Sequence, residues 1–360
     1  MKAAVCRAFG KPLVIEDVDV APPQAGELKV QLKACGICQS DVHNIEGAWG
    51  GTLPAVFGHE AAGIVDAVGP GVDGLRPGQH VVVTLIRSCG RCDSCARGEP
   101  VFCETTFRLD RASPIRAADG SPITQGTRTG AFAESIVIDA SQAVAIPDDI
   151  PFDAASVLAC AVITGFGAVV NSAEVEPGSN VVVIGTGGVG LNAVQAAAVS
   201  GARTVIAVDI SNQKLALARA FGATHTINPK EESLDGMVAA LTGGRRADTV
   251  IVTAGSTSAV EQGVTLARRG GTVVLVGMPP SGVATIDPGQ IAHDGLRILG
   301  SKVGSIRPQI DIPRLLGLYR EGRLKLDELV SKRYPLGDIN TAIASAGRED
   351  VVRNVIVFAS

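Results

Sequence analysis

Through the first 150 positions, hydrophobic residues occur in short runs that glycine or proline interrupts. The runs that predict strands are Leu28–Ala34, Ala61–Val68, His80–Leu85 and Ala133–Ile138. They are rich in valine, and turn signals such as GPGV and RPGQ lie between them. This pattern predicts an antiparallel, barrel-like domain.

Near residue 160 the pattern changes to strands that alternate with helices of about ten residues. A buried-strand run, Val181–Ile184, leads into the glycine turn Gly185–Gly190, the alanine-rich helix Leu191–Ser200 and a second strand, Thr204–Asp209. The further elements are helix Gln213–Phe221, strand His225–Ile227, strand Thr249–Thr253, helix Thr257–Ala267, strand Thr272–Val276 and a last strand, Val351–Phe358. This alternation predicts an α/β domain built on a doubly wound parallel sheet.

Composition narrows the class of protein. The 360 residues are 46% hydrophobic and only 3% aromatic, which is enough for two domains with aliphatic cores. The net charge of −4 comes from interspersed charges, so we expect neither nucleic acid nor an anionic membrane as a partner. The N-terminus lacks the apolar run of a signal peptide, and we expect a cytoplasmic protein. Two uncharged stretches, Ala154–Ala173 and Pro177–Ala202, are long enough to cross a bilayer, but turn residues interrupt both, so we expect no membrane span.

The segment VVVIGTGGVG has the G-x-G-x-x-G pattern of a dinucleotide-binding Rossmann turn in Gly185, Gly187 and Gly190. It follows a predicted strand and opens a predicted helix, and Asp209 ends the next strand 19 residues after Gly190. These glycines, together with Gly188, let the backbone approach a pyrophosphate at the helix N-terminus. Asp209 would accept hydrogen bonds from a ribose diol and repel a 2′-phosphate, which favours NAD over NADP. The alternative is a tight turn with no ligand.

Four cysteines, Cys89, Cys92, Cys95 and Cys103, have the spacing C-x2-C-x2-C-x7-C. Four thiolates this close in sequence can surround one tetrahedral zinc, and a closed four-Cys site is structural. The glycine and charged residues among them indicate an exposed lobe. An iron–sulfur cluster and unligated thiols are the alternatives.

Two further segments, GICQSDVH and FGHEAAG, place metal-competent residues in apolar, glycine-rich surroundings. By themselves these residues do not establish a metal site. A buried cysteine such as Cys38 or Cys160 usually acts as a small hydrophobic residue, and a lone histidine such as His59 is usually a hydrogen-bonded core residue.

The chain resembles the zinc-containing medium-chain alcohol dehydrogenases. The likeness runs in order through GICQSDVH, GHEAAG, the four-Cys segment, LACAVITG, GTGGVG and VD. The resemblance implies a catalytic zinc with one open position, held by Cys38, His59 and Cys160. It also implies that Asp41 orients the histidine and that Glu60 lies beside the metal.

The same resemblance assigns further roles. Ser40 matches a relay hydroxyl that passes a proton through a coenzyme ribose hydroxyl to His43 at the surface. The implied coenzyme contacts besides the glycines and Asp209 are Thr164 and Val189, around the nicotinamide, and Arg353, near the pyrophosphate. Lys214, five residues after Asp209, is either a contact to the same ribose or a solvated helix lysine. The positions that match a substrate cleft are Trp49, Leu85 and Met278; since all are apolar, we expect a small neutral alcohol or aldehyde as the substrate. The implied cofactors are two zinc ions per chain and NAD.

The implied domains are a catalytic domain (1–161, with a structural zinc lobe at 86–104), a Rossmann domain (162–302) and a return to the catalytic domain (303–360). The polar insertion at 104–131 is longer than that of tetrameric relatives and resembles that of the dimeric class, so we expect a homodimer rather than a tetramer. Gln39 stands where relatives often carry a cation near the pyrophosphate. Open alternatives are a dehydrogenase of formaldehyde thiol adducts, with Arg108, Arg111 and Arg116 as possible anion contacts, a sugar-alcohol dehydrogenase, and a non-catalytic dinucleotide-binding zinc protein.

Overall fold

The computed structural model describes residues 1–359, which form two compact units. The first unit comprises Met1–Cys160 and the chain from Arg307 onward, and the second comprises Ala161–Ile306. Each has its own sheets and its own buried aliphatic core.

The strands within the described residues are β1 Lys2–Cys6, β2 Val14–Val20, β3 Glu27–Gly36, β4 Ala55–Val56, β5 Glu60–Val68, β6 His80–Val83, β7 Ile115–Ala117, β8 Pro122–Gln125, β9 Ser135–Asp139, β10 Ala143–Ala145, β11 Asn180–Ile184, β12 Thr204–Val208, β13 His225–Ile227, β14 Ala247–Val252, β15 Ala267–Leu275, β16 Arg297–Gly300, β17 Val330–Pro335 and β18 Arg353–Val357.

The α-helices in the same part of the chain are α1 Gln39–Glu46, α2 Asp93–Ala96, α3 Arg108–Arg111, α4 Phe152–Val157, α5 Ile163–Gly167, α6 Gly188–Val199, α7 Asn212–Ala220, α8 Leu234–Leu241, α9 Thr257–Leu266, α10 Pro288–Asp294, α11 Pro308–Arg320 and α12 Ile339–Ser345. Two π-helical segments, Leu158–Val162 and Ala168–Ser172, follow α4 and α5. Short 3₁₀ turns span Pro100–Phe102, Gly126–Arg128, Ala140–Gln142, Lys302–Ser305, Asp327–Leu329 and Leu336–Asp338.

The first unit contains a closed barrel whose strands follow the order β1-β2-β7-β8-β4. Strands β7 and β8 come from the insertion at 104–131. Ile115 and Ile123 on these strands are fully buried, so the insertion contributes to the core rather than lying over it as a polar loop.

A seven-stranded sheet completes the first unit, in the order β10-β6-β5-β3-β18-β17, with β9 also paired to β3. Strands β3 and β5 are antiparallel, and Gly36 at the end of β3 lies opposite Glu60 at the start of β5. This register brings together the segments just beyond the two strands, which carry Cys38 and His59.

The second unit is a six-stranded sheet in the order β13-β12-β11-β14-β15-β16, and every pairing in it is parallel. Counted along this unit, the order is 3-2-1-4-5-6, which is that of the Rossmann fold. The carboxyl ends of β11 and β12 therefore lie side by side at one edge of the sheet. The predicted fold class, a Rossmann sheet plus a β-rich barrel-like domain, is confirmed.

The uncharged stretch near residue 160 forms a helical segment, Phe152–Ser172, that is long and apolar enough to cross a membrane. Its most apolar window is 83% buried inside the protein. Burial of this extent is typical of a core helix in a globular domain.

Candidate active site

Cys38, His59, Glu60 and Cys160 form a buried cluster in the first unit, and their ligand atoms all lie within 4.8 Å of one another. The register of β3 and β5 supplies the first three residues. Cys160 comes from the π-helical segment Leu158–Val162, a distortion of the kind that is frequent at functional sites. The structure thus brings together the three zinc ligands that the resemblance implied, although 101 residues separate His59 from Cys160.

Asp41 holds two of these residues in place. It lies in the first turn of α1 and is fully buried. Its Oδ1 accepts a hydrogen bond from His59 Nδ1 at 2.9 Å and from the Gly58 N–H at 3.1 Å, and its Oδ2 accepts from the Cys38 N–H at 3.0 Å. Because Nδ1 donates to a carboxylate, Nε2 of His59 carries the free lone pair that a metal needs.

Ser40 lies directly at the cluster. Its hydroxyl donates to Cys38 Sγ at 3.1 Å and lies 3.4 Å from His59 Nε2. His43, one turn further along α1, packs edge-on against Trp49, with 5.3 Å between the ring centres. The His43 side chain is 18% exposed, so it is more enclosed than a surface residue, and its Nδ1 is buried 3.9 Å from a Glu46 carboxylate oxygen.

Glu60 and Arg353 form a fully buried ion pair, with Arg353 Nη2 2.9 Å from Glu60 Oε1. A Cβ atom at Gly36 would lie 2.4 Å from Glu60 Oε2, so the glutamate fits only because residue 36 is glycine. Arg353 also donates to the Ile37 carbonyl. The structure therefore places Arg353 beside the metal cluster, and its contact with coenzyme stays a prediction.

Charges in the cluster perturb one another strongly. A hydrogen bond from Cys160 lowers the pKa of the Cys38 thiol well below its usual value against the effect of burial, and the Arg353 charge and His59 assist. The same bond, together with burial, raises the pKa of Cys160, so Cys38 ionises first. Burial raises the pKa of Glu60 to about 8 although the Arg353 charge opposes it. Burial also disfavours the imidazolium of His59, but Asp41 and Cys38 outweigh it and raise the pKa of His59.

This donor set fits zinc. Two sulfurs, one imidazole nitrogen and a carboxylate are ligands that zinc accepts, and two Cys with one His leave the open position of a catalytic site. Neither carboxylate oxygen of Glu60 has a properly directed hydrogen bond within the described residues, despite full burial. A cation at the cluster would satisfy that buried charge.

The four-Cys lobe is a second cluster of the first unit. The sulfurs of Cys89, Cys92, Cys95 and Cys103 lie within 4.8 Å of one another, and the Cys92–Cys103 separation is 3.9 Å. Tetrahedral zinc with bonds of about 2.3 Å places its thiolates about 3.8 Å apart. The four thiolates of an iron–sulfur cluster bind two or four different irons and need a wider cage, so the spacing favours a single ion.

Backbone groups already stabilise thiolates in this lobe. The N–H groups of Arg91 and Cys92 donate to Cys89 Sγ at 3.5 and 3.2 Å, and the Cys89 N–H donates to Cys103 Sγ at 3.3 Å. Thr105 and the two backbone donors lower the pKa of Cys89 to about 6. All four cysteines are partly exposed, as the sequence predicted for a surface lobe.

The glycine turn of the second unit connects β11 to α6, and its glycines have different structural requirements. Gly185 has φ +92°, and a Cβ at Gly190 would lie 1.8 Å from the Gly185 carbonyl oxygen, so the turn itself requires both. Gly187 has an ordinary φ of −71°, and a Cβ there would contact nothing within 4 Å among the described residues. A glycine that the protein itself does not require is consistent with a ligand that approaches the backbone.

Asp209 lies at the carboxyl end of β12, next to this turn. Its Oδ2 accepts from both the N–H (2.7 Å) and the hydroxyl (2.9 Å) of Thr186, and its Oδ1 accepts from the Ser211 N–H at 3.0 Å. Thr186 is almost fully buried. The sequence reasoning missed Thr186, although its place inside the glycine motif was a signal. Lys214 lies on the first turn of α7, where Ser211 caps the helix.

The remaining predicted residues lie in both units. In the first unit Trp49 is 39% exposed and Leu85 is partly buried; in the second, Met278 is 61% exposed, Thr164 is buried in α5 and Val189 lies in the first turn of α6. Nothing in the described residues tests their contacts with substrate or coenzyme.

Two of the arginines considered for an anionic substrate are engaged within the protein. Arg108 makes a two-pronged ion pair with buried Glu27, at 2.6 and 2.8 Å, and Arg116 donates to the carbonyls of Ser113 and Ile115.

Buried Arg87, just before the lobe, was missed by the sequence reasoning. Its guanidinium donates to Gln142 (2.7 Å), Asp110 (2.9 Å), Gln125 (2.9 Å) and the Arg128 carbonyl (2.8 Å). Three of these partners belong to the insertion at 104–131. These hydrogen bonds therefore hold the insertion against the rest of the first unit.

Comparisons with known proteins agree with this geometry. Residues 24–148 match the family described as "Alcohol dehydrogenase GroES-like domain", and residues 188–321 match "Zinc-binding dehydrogenase". The chain is 37% identical to the "NDMA-dependent alcohol dehydrogenase" of Amycolatopsis methanolica, over 100% of this chain and 99% of that protein. It is 36% identical to "Alcohol dehydrogenase B" of Mycobacterium tuberculosis, over 99% and 98% of the two chains.

A solved structure extends the likeness to three dimensions. The crystal structure of benzyl alcohol dehydrogenase from Acinetobacter calcoaceticus matches with a TM-score of 0.93 and 32% identity, over 99% of each chain. Both domain families, whole-length relatives and the preserved metal-ligand cluster show that this chain belongs to the zinc-dependent medium-chain dehydrogenase/reductase family and is an oxidoreductase of the alcohol dehydrogenase type.

Proposed function

We propose that this protein oxidises small neutral alcohols, and reduces the corresponding aldehydes or ketones, with NAD as coenzyme. The observation that carries the proposal is the position of the Ser40 hydroxyl, which contacts both Cys38 and His59 in a cluster built for zinc. A proton acceptor beside a metal site is what alcohol oxidation requires.

Zinc bound at Cys38, His59 and Cys160 would act as a Lewis acid that lowers the pKa of a hydroxyl group by several units. Side chains of this protein would supply the groups that carry the released proton away. Ser40 relays the proton that the alcohol loses by passing its own hydroxyl proton on towards His43, whose imidazole exchanges protons with solvent. Asp41 accepts the Nδ1 hydrogen of His59, which orients the ring so that Nε2 faces the cluster.

Support for NAD comes from the second unit. Asp209 lies where a ribose diol would be bound, and its negative charge disfavours the 2′-phosphate of NADP. The space at Gly187 and the N-terminus of α6 suit a pyrophosphate. The Amycolatopsis relative is named for a dependence on NDMA, so the experiment below also tests whether NAD is exchangeable in this protein.

Support for a neutral substrate comes from the apolar character of Trp49, Leu85 and Met278 and from the engaged side chains of Arg108 and Arg116. The similarity to a benzyl alcohol dehydrogenase makes aromatic primary alcohols the first substrates to test. These observations favour an alcohol over an anionic thiol adduct. A homodimer in the cytoplasm stays a prediction, and light scattering of the purified protein checks its oligomeric state.

The test combines metal analysis with kinetics on the full-length protein. We expect two zinc ions per chain, one zinc in Cys38→Ser, and oxidation of benzyl alcohol with NAD at a kcat/KM at least tenfold above that with NADP. Release of coenzyme on denaturation shows whether NAD is permanently bound. Two zinc ions per chain in Cys38→Ser would refute the catalytic zinc site, and an equal kcat/KM with NADP would refute the preference for NAD.

A further inference from the structure

A cavity of about 580 Å³ opens on the second unit at the amino-terminal edge of the Rossmann sheet. The residues that line it are Gly244, Arg245, Arg246, Thr265, Ala267, Arg268, Arg269, Gln290 and Asp294. They come from the segment that precedes β14, from the end of α9, from the start of β15 and from α10. The glycine turn and Asp209 lie at the opposite, carboxyl-terminal edge, so this cavity is separate from the coenzyme turn.

The wall of the cavity carries four guanidinium groups and a single carboxylate, Asp294. Arg269 pairs with that carboxylate at 3.2 Å, although the Arg269 side chain is 80% exposed. Arg246 and Arg268 pair with Asp235 and Asp248, which lie outside the lining. The lining itself therefore has an excess of positive charge.

Some of these arginines stabilise the fold of the second unit itself. Helices α8, α9 and α10 all end at this edge, and cations stabilise the partial negative charge of helix C-termini. Arg246 donates to the Thr265 carbonyl in the last turn of α9, and it does so from a left-handed backbone conformation, φ +69°, that is strained for a residue other than glycine. The Arg245 guanidinium makes no ion pair or hydrogen bond within residues 1–359, and its charge acts on Asp248 only at longer range.

We propose that this arginine cavity binds a small oligophosphate, meaning two or more linked phosphate groups, either inorganic or carried by a nucleotide. Guanidinium groups match phosphate oxygens with paired, charge-assisted hydrogen bonds. Several linked phosphates can contact more than one of these guanidinium groups at the same time, whereas a small monoanion contacts fewer of them. The volume lies within the range of small-molecule sites.

The test uses the full-length, zinc-loaded enzyme at saturating NAD, which occupies the coenzyme turn. Calorimetric titration with inorganic tripolyphosphate should show saturable binding. The double variant Arg245→Gln/Arg269→Gln should weaken that binding at least tenfold. The matched control, Arg219→Gln/Arg323→Gln, removes the same charge from exposed positions away from the cavity and should change binding less than twofold. Alcohol oxidation without oligophosphate should be unchanged in both variants.

Further ligands define the chemistry. Equal affinity for tripolyphosphate and ATP indicates that the phosphate chain alone is recognised, and tighter binding of ATP indicates that the nucleoside contributes; both support the site. The proposal is overturned if tripolyphosphate does not saturate, if citrate binds equally well, or if both double variants lose affinity to the same extent. The last result would show attraction to net charge rather than to the cavity.

Discussion

Replacement of Asp41 by asparagine tests whether this buried carboxylate holds the catalytic metal site together. Asparagine has nearly the same shape, but it has an acceptor oxygen on one side only. If that oxygen keeps the bonds from His59 and Gly58, the amide NH₂ faces the Cys38 N–H, and a buried hydrogen bond becomes a contact between two donors. Asp41→Asn therefore disturbs the position of Cys38 without opening a cavity.

The magnitude follows from the number of bonds changed. Loss of one buried hydrogen bond to a charged group, with its donor left unsatisfied, costs about 1–3 kcal/mol. Replacing residues that orient metal ligands typically lowers metal affinity by about 10–100-fold. We therefore expect zinc to leave the Cys38–His59–Cys160 site about 10–100 times faster in Asp41→Asn.

The assay follows transfer of zinc from the full-length enzyme to a chromogenic chelator. The four-Cys lobe does not contact Asp41. The phase of zinc release from that lobe therefore serves as an internal reference and should keep its wild-type rate. Asp66→Asn is the matched control, since it makes the same chemical change at a half-exposed aspartate that pairs with Lys29. Unchanged release in Asp41→Asn, or equal acceleration of both phases, would refute the reasoning.

Three further predictions concern separate parts of the molecule. Ser40→Ala should lower kcat for alcohol oxidation by about 10²–10⁴-fold at unchanged zinc content, because a proton acceptor is lost; a kcat within a factor of three of wild type contradicts that role. Asp209→Ala should weaken NAD binding and narrow the preference for NAD over NADP by about tenfold or more, measured by coenzyme fluorescence titration; an unchanged preference rejects Asp209 as its source. Arg87→Met should lower the free energy of unfolding by about 3–5 kcal/mol in urea titration, because Asp110 and two glutamines lose their shared partner. A loss below about 1 kcal/mol would show that Arg87 does not hold the insertion in place.

Much of the fold was predictable because its signals are local. Strands β11, β12 and β14 contain continuous aliphatic runs, and β11 to β14 were predicted to within two residues of their observed ends. The predicted β15 began at Thr272 instead of Ala267, because its first residues are mainly arginines and glycines. The predicted helix after the glycine turn began too late, at Leu191 instead of Gly188, because glycine is a poor helix former whose presence here serves close approach. Strands β7 and β8 span only three and four residues, too few for an alternating pattern to be recognised.

The catalytic metal site shows what local sequence patterns cannot predict, namely contacts between distant segments. The four-Cys lobe was predicted from spacing alone, since its ligands lie within one short segment. Cys160 lies in an apolar helix where every neighbour is also buried, and nothing local distinguishes it from a core residue. Only the family resemblance joined it to Cys38 and His59. The Arg87 network and the arginine cavity depend in the same way on contacts between distant segments.

The closure of the barrel has a consequence for attempts to shorten the chain. Strands β7 and β8 bridge β2 and β4, so the insertion at 104–131 is what closes the ring. Its removal would leave β2 and β4 each with a row of unsatisfied backbone donors and acceptors, which other chains can pair with. A shortened protein would therefore have two unpaired strand edges. We expect it to self-associate before it loses enzymatic activity.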